Sequence, residues 1–367
     1  MSGDWLGLIE RIAQLIWRRK TLPAILLSAG VACLVGSAGG IDFLVKLVAS
    51  GNGAGGVATI GSADVPSYIR PTLFVIGIAL MLVAVVTGLV NWRAERAQAA
   101  RAILVTIELR GLRLGNDATL EKAKCLPPIA RRAPHVIDIR SRIRDGQVHD
   151  PEGALEEVDS RLRQIPGELA SRANDDVAVV FGGLAPVPMT FLAGVHLDDE
   201  GSVERLDWSR DKEAWRTLDA NDDGDRFTIT EHAARKGSRE LILCVSVSYP
   251  IDVDAARAAL PDAALIEMQL TDLHVENHWS RNKQRALARQ LLEVLTRNSH
   301  VHRVHLHLAA QASVAFLFGQ RYDKRSLPPV LVYQYERGGV NRYPWAVQMP
   351  VAGATGARIV TREELAT

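Results

Sequence analysis

Two stretches of the chain, Leu22–Ile41 and Pro71–Trp92, contain no charged residue. At 1.5 Å per residue, the 20 residues of the first make a helix of about 30 Å, the thickness of bilayer hydrocarbon, and the second does the same. The pattern predicts a two-helix transmembrane hairpin over residues 22–92. Ahead of it, Trp5, Leu6, Leu8, Ile9, Ile12, Leu15, Ile16 and Trp17 recur at helical spacing, which predicts an interfacial amphipathic helix within residues 1–21. A cleaved signal peptide is disfavoured, because it leaves the second span as an unexplained stop.

Arg18, Arg19 and Lys20 precede the first span, and Arg93, Arg96 and Arg101 follow the second. The positive-inside bias therefore predicts a multi-pass protein with both termini cytoplasmic. The intervening loop, Ala49–Arg70, is rich in Gly, Ala and Ser, with only Asp64 and Arg70 charged, a composition for a flexible connection. Asp42 and Lys46, four apart at the outer end of the first span, are placed to pair or to snorkel. Gly30, Gly36, Gly39 and Gly40 permit close helix approach within or between subunits. A passive tether and an oligomerising effector element both satisfy that pattern.

After residues 93–102, read as a linker, the period changes to short β-type segments alternating with amphipathic helices, which predicts an α/β body over residues 103–367. Strands are expected at Ile103–Leu109, His135–Ile139, Val177–Phe181, Val203–Trp208, Leu241–Tyr249, Leu265–Leu270, His302–Leu308 and Val330–Tyr335. Helices are expected at Pro151–Ala173, Pro186–Gly194, Asp252–Leu260, Arg281–Asn298 and Ala312–Gln320.

Inside this body a match recurs at a constant offset of 125 residues. Phe191, Leu192 and Gly194 fall on Phe316, Leu317 and Gly319, Val177–Phe181 falls on His302–Leu306, Trp208 on Tyr333, and Leu162 on Leu287. The repeated order predicts two lobes, over 103–238 and 239–350, related by duplication. In doubly wound sheets ligands bind beyond the carboxyl ends of strands, where helix N-termini favour anions. The turns Gly182-Gly183-Leu184-Ala185-Pro186 and Leu308-Ala309-Ala310-Gln311 become candidate ligand contacts.

Composition adds exclusions. A net charge of +1 with 23% charged residues excludes a basic nucleic-acid coat, and 47% hydrophobic residues exclude a disordered polyampholyte. Cys33, Cys125 and Cys244 lie far apart, so neither a disulfide framework nor a cysteine metal site is expected. No Gly-x-Ser-x-Gly elbow, Walker A loop or Gly-x-Gly-x-x-Gly fingerprint occurs. His274-Val-Glu-Asn-His278 places its glutamate wrongly for His-Glu-x-x-His, and among His300, His302, His305 and His307 only His305 and His307 share a strand face. Asp219-Ala-Asn-Asp-Asp-Gly-Asp225 imitates a calcium loop, but Thr230 stands where the bidentate glutamate belongs, so an acidic turn is expected. No enzyme chemistry, metal or cofactor is expected.

Three segments resemble the SAVED domain: Val105-Thr-Ile-Glu-Leu-Arg-Gly-Leu-Arg113, Val179-Val-Phe-Gly-Gly-Leu-Ala-Pro-Val-Pro-Met-Thr-Phe191, and Val304–Gln320 followed by Val332-Tyr-Gln-Tyr-Glu336. The likeness covers about two-thirds of the chain, from near Ile103 to Pro350, with the third segment the most specific. It implies two fused CARF-like Rossmann lobes that sense a cyclic oligonucleotide in a CBASS antiphage system. With the hairpin in front, the chain resembles the transmembrane-SAVED type of effector in a bacterial inner membrane. Gln311, where relatives carry Pro, departs from the pattern and bears on ligand identity.

The resemblance implies a cyclic di- or trinucleotide ligand made by a cGAS/DncV-like nucleotidyltransferase; the expected mechanism is head-to-tail homo-oligomerisation on ligand binding, which gathers the hairpins and breaches or depolarises the membrane. DNA and RNA are not expected partners. Such a ligand needs backbone donors, cations and stacking groups. The candidates are Gly182, Gly183, Leu184, Ala309, Ala310 and Gln311; the cations Arg281, Lys283 and Arg321; and the aromatics Trp208, Trp279, Tyr333 and Tyr335. Three other readings are a membrane-tethered sensor or scaffold that signals to a separate enzyme, a ring nuclease, and a transporter, the last poorly served by two spans without an inverted repeat.

Overall fold

Apolar runs without internal charge form the first two helices of the computed structural model, α1 (Leu22–Ser37) and α2 (Arg70–Arg101). The structure describes residues 22–37, 44–45, 58–59, 66, 68–111, 119–170, 176–198, 203–234, 238–337, 341–351, 356–361 and 364. They divide between two compact units, residues 1–101 and 102–367. The interfacial helix expected within residues 1–21, Asp42, Lys46 and Asp64 lie outside the described residues.

In the first unit α1 and α2 cross at glycines. A Cβ on Gly30 would lie 2.9 Å from the Gly77 carbonyl oxygen, and a Cβ on Gly77 would lie 2.9 Å from that of Gly30. Only hydrogen at both positions lets the backbones meet this closely. Phe74, Val75, Val83, Val86 and Val90 turn outward and stay exposed. Among the described residues, Arg70–Ala94 is the one helix long and apolar enough to cross a membrane; α1, with its apolar run Leu22–Leu34, is shorter. The first span expected to reach Ile41 is thus helical to Ser37, and residues 38–41 are not described. Residues 93–101, expected as a linker, continue α2, because Arg-Ala-Glu-Arg-Ala-Gln-Ala-Ala-Arg contains only good helix formers.

The second unit opens with β1 (Ile103–Arg110), β2 (Arg131–Asp138), α3 (Pro151–Ala170), β3 (Val177–Leu184), α4 (Val187–His196), β4 (Val203–Ser209) and β5 (Ala214–Thr217). The strands form a five-stranded sheet in the order β2-β1-β3-β4-β5, parallel but for the last pair. β1 is buried along nearly its whole length, as a central parallel strand covered on both faces must be. Its Val105, Ile107 and Leu109 face the main core, and Leu104 packs on the other face with Leu120, Val180 and Trp215.

The chain continues with β6 (Thr228–His232), β7 (Glu240–Ser246), α5 (Val253–Arg257), β8 (Ala264–Gln269), α6 (Arg281–Arg297), β9 (Arg303–Ala309), α7 (Ala312–Arg321), β10 (Val330–Tyr333), β11 (Trp345–Gln348) and β12 (Arg358–Thr361). They make a seven-stranded sheet in the order β6-β8-β7-β9-β10-β11-β12. Its middle run, β8-β7-β9-β10-β11, repeats the order and directions of the first sheet. Each lobe is therefore a 2-1-3-4 parallel arrangement with an antiparallel fifth strand. β6 lies before the expected lobe boundary at residue 238 yet belongs to the second sheet. The strands β5, β6, β11 and β12 escaped the sequence reading because each is short, and β6 and β12 are edge strands with mostly accessible side chains.

Helices α4 and α7 lie between the lobes. Both are buried over most of their length, as their predominantly apolar sequences require. α4 also touches β10 and β11 of the second lobe, while α7 touches β3 and β4 of the first. Phe181 of β3 stacks on Phe316 of α7 with ring centroids 4.0 Å apart.

Candidate functional site

In a 2-1-3-4 sheet the chain leaves in opposite directions from the two central strands, and the crevice opens beyond their carboxyl ends. In the first lobe those ends are Arg110 and Leu184. Gly111, just past β1, sits so close to the turn after β3 that a Cβ there would lie 2.8 Å from Ala185 Cα. In the second lobe the corresponding ends are Ser246 and Ala309. They are joined by Val247 and Ser248, whose N–H groups both donate to the Ala309 carbonyl at 2.9 and 3.0 Å.

A cavity of about 630 Å³ opens at these strand ends, within the size of small-molecule sites. The first lobe supplies Ala185, Pro186 and Val187, and the second Ser248–Ile251, Leu308–Ala310 and Tyr335. A short hairpin, in which Ile143 and Arg144 pair with Val148 and Gln147, adds Gly146 to the wall. Its turn residues Asp145 and Gly146 have φ of 52° and 78°, the left-handed pair of a tight hairpin turn. The buried Glu336 carboxylate ties this hairpin to the second lobe, accepting from Val148 N and from Trp345 Nε1, each at 3.3 Å.

Among the described residues Arg337 is the single charged residue on the wall, with no carboxylate beside it. It has no ion-pair or hydrogen-bond partner among the described residues. Two aromatic rings on the wall are exposed, Tyr249 at 55% and Tyr335 at 45%. Tyr335 is fixed by Arg342, which donates to its hydroxyl at 2.8 Å, and by an edge contact with Tyr343 at 5.7 Å between centroids. Burial pushes the Tyr343 phenol upward, so it enters the site as a neutral hydroxyl. The wall thus offers one cation, two open ring faces and small residues: a cradle for a flat, anionic ligand.

The expected ligand contacts separate into three groups. Ala309, Ala310 and Tyr335 line the cavity. Gly182, Gly183 and Leu184 belong to β3, not to a turn: Gly182 pairs with Glu108 and Leu206, and Gly183 and Leu184 pair with Leu109 and Arg110. Gly182 is kept small by Leu120 and Trp215, since a Cβ there would meet their side chains at 2.9 and 3.0 Å.

The remaining candidates are engaged elsewhere. Gln311 stands at the N-cap position of α7 without a side-chain capping bond, and donates instead to the Val275 carbonyl at 2.6 Å. The first-turn amide of Ser313 is taken by Asp207 of the first lobe, 3.0 Å away, so a protein carboxylate occupies the anion position at α7. Lys283 is 2% exposed and pairs with Asp223 at 2.7 Å, and Asp222 pairs with Arg226, which accounts for two acids of the expected acidic turn. Arg281 pairs with Glu204. Trp279 is buried beneath Arg216, and Trp208 packs edge-on against Trp215.

Tyr333 is buried against the strand histidines. It hydrogen-bonds His305 at 2.8 Å and stacks on His307 at 4.3 Å. Burial, reinforced by His305, pushes His307 down to about 3, which makes it a neutral core ring. Arg321 lines a second, separate cavity.

Sequence reading missed Tyr249, Arg337, Tyr343 and the Asp145–Gly146 hairpin. The Asp-Gly pair is itself a strong hairpin signal. Tyr249 and Arg337 follow the turn after β7 and the strand β10, and the switch point assigns both loops to the crevice once strand order is known.

Residues 162–349 match the model of the SAVED domain, described as the SMODS-associated and fused to various effectors sensor domain, and residues 5–155 match the SAVED-fused 2TM effector domain. Among solved structures, the Acinetobacter baumannii Cap4 SAVED/CARF-domain containing receptor with the cyclic trinucleotide 2′3′3′-cAAA is 11% identical, with a TM-score of 0.48. The same receptor with 3′3′3′-cAAA is 12% identical, with a TM-score of 0.49. Both cover 77% of this chain, which spans 60% of the receptor's length. No curated protein matches the chain. With just over half its length matched to that sensor and the preceding part matched to the 2TM effector, the chain belongs to the SAVED family, in its 2TM-effector-fused form.

Proposed function

We propose that this protein is an antiphage effector of a CBASS system that binds a cyclic oligonucleotide in the strand-end cavity, oligomerises, and disrupts the bacterial inner membrane through its two apolar helices. The observation that carries this reading is the wall itself, with Arg337 for phosphate, Tyr249 and Tyr335 for bases, and no opposing carboxylate. The Cap4 receptors contain cyclic trinucleotides, which makes that ring size the first to test. The cavity needs no bond-breaking chemistry for such a role. Binding energy is the output, spent on bringing subunits together.

The exposed apolar faces of α1 and α2 and their glycine crossing supply a membrane element that responds to crowding. Head-to-tail contacts between sensor units gather many such elements without closing a ring. The shortness of α1 beside the 25-residue apolar stretch of α2 favours a second reading, a tethered sensor that signals to another enzyme. Reconstituted vesicles separate the two. Full-length protein that releases an entrapped dye only on addition of cyclic trinucleotide supports the first, and saturable binding without release supports the tether. Release that is equal with and without ligand overturns ligand gating.

A further inference from the structure

Arg205 of β4 is 7% exposed, and its Nε has no hydrogen-bond partner. No carboxylate reaches it among the described residues: Glu204, next in the chain, is committed to Arg281. Burial, helped by the like charges of Arg281, Arg285 and Arg321 and only partly opposed by Glu204, pushes its guanidinium down to about 10. A buried arginine surrounded by arginines is costly to maintain unless something anionic completes it.

Arg285 and Arg321 line a cavity of about 480 Å³ with Arg289, Asn282, Leu292 and Asp222. This cavity shares no residue with the strand-end cavity. None of Arg285, Arg289 and Arg321 has a partner among the described residues. Arg281, Arg285 and Arg289 follow at four-residue spacing along α6, an arrangement that repels itself on an isolated helix. The lone acid on the wall, Asp222, spends both oxygens on Arg226 at 2.7 and 2.9 Å. Three unpartnered arginines therefore line the cavity, and the buried Arg205 lies within electrostatic reach of two of them, Arg285 and Arg321.

We propose that Arg285, Arg289 and Arg321, with the charge of Arg205 behind them, form a second ligand site, which takes a phosphate-bearing small molecule and is independent of the strand-end cavity. Guanidinium forks match the paired oxygens of a phosphate, and the concave wall of limited volume fits a small anion. Occupancy would bridge α6 to α7. The proposal stands whether or not the strand-end cavity binds a cyclic oligonucleotide.

The test is calorimetric titration of inorganic pyrophosphate into the full-length protein in detergent, beside the Arg285→Ser/Arg321→Ser double variant and an Arg337→Ala variant. Both substituted arginines of the pair are exposed, so the fold is retained, and an unchanged thermal midpoint verifies it. The expected result is saturable binding, weakened about tenfold or more in the double variant, a loss of about 1.4 kcal/mol, and unchanged by Arg337→Ala. Displacement by ATP assigns the site to nucleotide phosphates, and failure of ATP to displace assigns it to inorganic polyanions; both uphold it. Absence of saturable binding to the wild type, or equal binding by the double variant, overturns the proposal. Salt-sensitive self-association that the double variant loses, without pyrophosphate binding, overturns it in favour of an acidic face of a second copy.

Discussion

Gly194 and Gly319 each lie against the other helix's backbone: a Cβ on Gly194 would fall 2.1 Å from the Phe316 carbonyl oxygen, and one on Gly319 would fall 2.0 Å from that of Phe191. The contacts are reciprocal, and residues 191 and 194 map onto 316 and 319 at the offset found in the sequence. The repeated Phe-Leu-x-Gly is thus the imprint of a pseudo-two-fold axis passing between α4 and α7. Neither backbone can retreat, because both helices are buried on their remaining faces. Gly319→Ala is expected to cost about 3 kcal/mol through overpacking, and to lower the thermal midpoint by roughly 6–10 °C. Gly167→Ala, where a new Cβ meets nothing within 4 Å, provides the control, with an expected gain of about 0.5 kcal/mol from helix propensity. Thermal denaturation of the full chain in detergent checks both.

The strand-end cavity makes a separate prediction. On the proposed role of the cavity, Arg337→Ala removes a charge-assisted contact worth about 1.5–3 kcal/mol, and is expected to weaken cyclic oligonucleotide binding by roughly ten- to a hundredfold. Tyr249→Ala removes a stacking face worth about 1–3 kcal/mol. Lys283→Met leaves the cavity wall intact but strips Asp223 of its partner, so it is expected to change stability and spare affinity. Equilibrium titration alongside thermal melts distinguishes them, and an Arg337→Ala protein that binds with wild-type affinity removes the cavity from consideration.

Glu336 predicts a clasp. Glu336→Ala leaves two buried donors, Val148 N and Trp345 Nε1, without an acceptor, at a cost of about 1–3 kcal/mol. The hairpin carrying Gly146 is then free of the second lobe, so amide exchange at residues 143–148 is expected to accelerate more than exchange in β1. Uniform acceleration across the unit would show that Glu336 does no more than support the fold.

Acid sensitivity follows from the strand histidines. His307 has its folded-state value depressed to about 3, so the stability that its neutral form provides is fully present above the unfolded value of 6.5. It is lost progressively as pH falls toward 3, because the unfolded chain takes up the proton first. About 2 kcal/mol is lost by pH 5 from this ring alone. His305 and His278, both lowered chiefly by burial, act in the same direction. His307→Phe keeps a ring against Tyr333 and discards a buried nitrogen, Nδ1, that has no partner. Its unfolding free energy is expected to change less between pH 7 and pH 5 than that of the wild type, by about 2 kcal/mol, as read by denaturant titration.

Much of this architecture was legible. Long uncharged runs announce lipid-compatible helices, and buried parallel strands such as Ile103–Arg110 read as continuous apolar segments. The wall of the cavity was half legible. Ala309, Ala310 and Tyr335 follow directly from the rule that ligands sit past strand ends, but Gly182 and Gly183 imitate a turn while serving as strand residues. Their smallness answers to Leu120 and Trp215, a contact that appears only when the chain is folded. Lys283 and Arg205 show the same limit with charge. Sequence displays a cation in each case, and only burial and partners reveal that the first is satisfied and the second is not.

The seam between the two family matches falls inside α3, between residues 155 and 162, whereas the compact units part at residue 102. Strand β1, which hydrogen-bonds both β2 and β3, thus travels with the stretch matched to the effector although it is the spine of the first sensor sheet. Anyone transplanting this sensor onto another output by cutting at the family seam would remove that spine and leave β3 with a raw edge. A cut at Ala102, where the compact units part, instead carries that spine across with both of its neighbours.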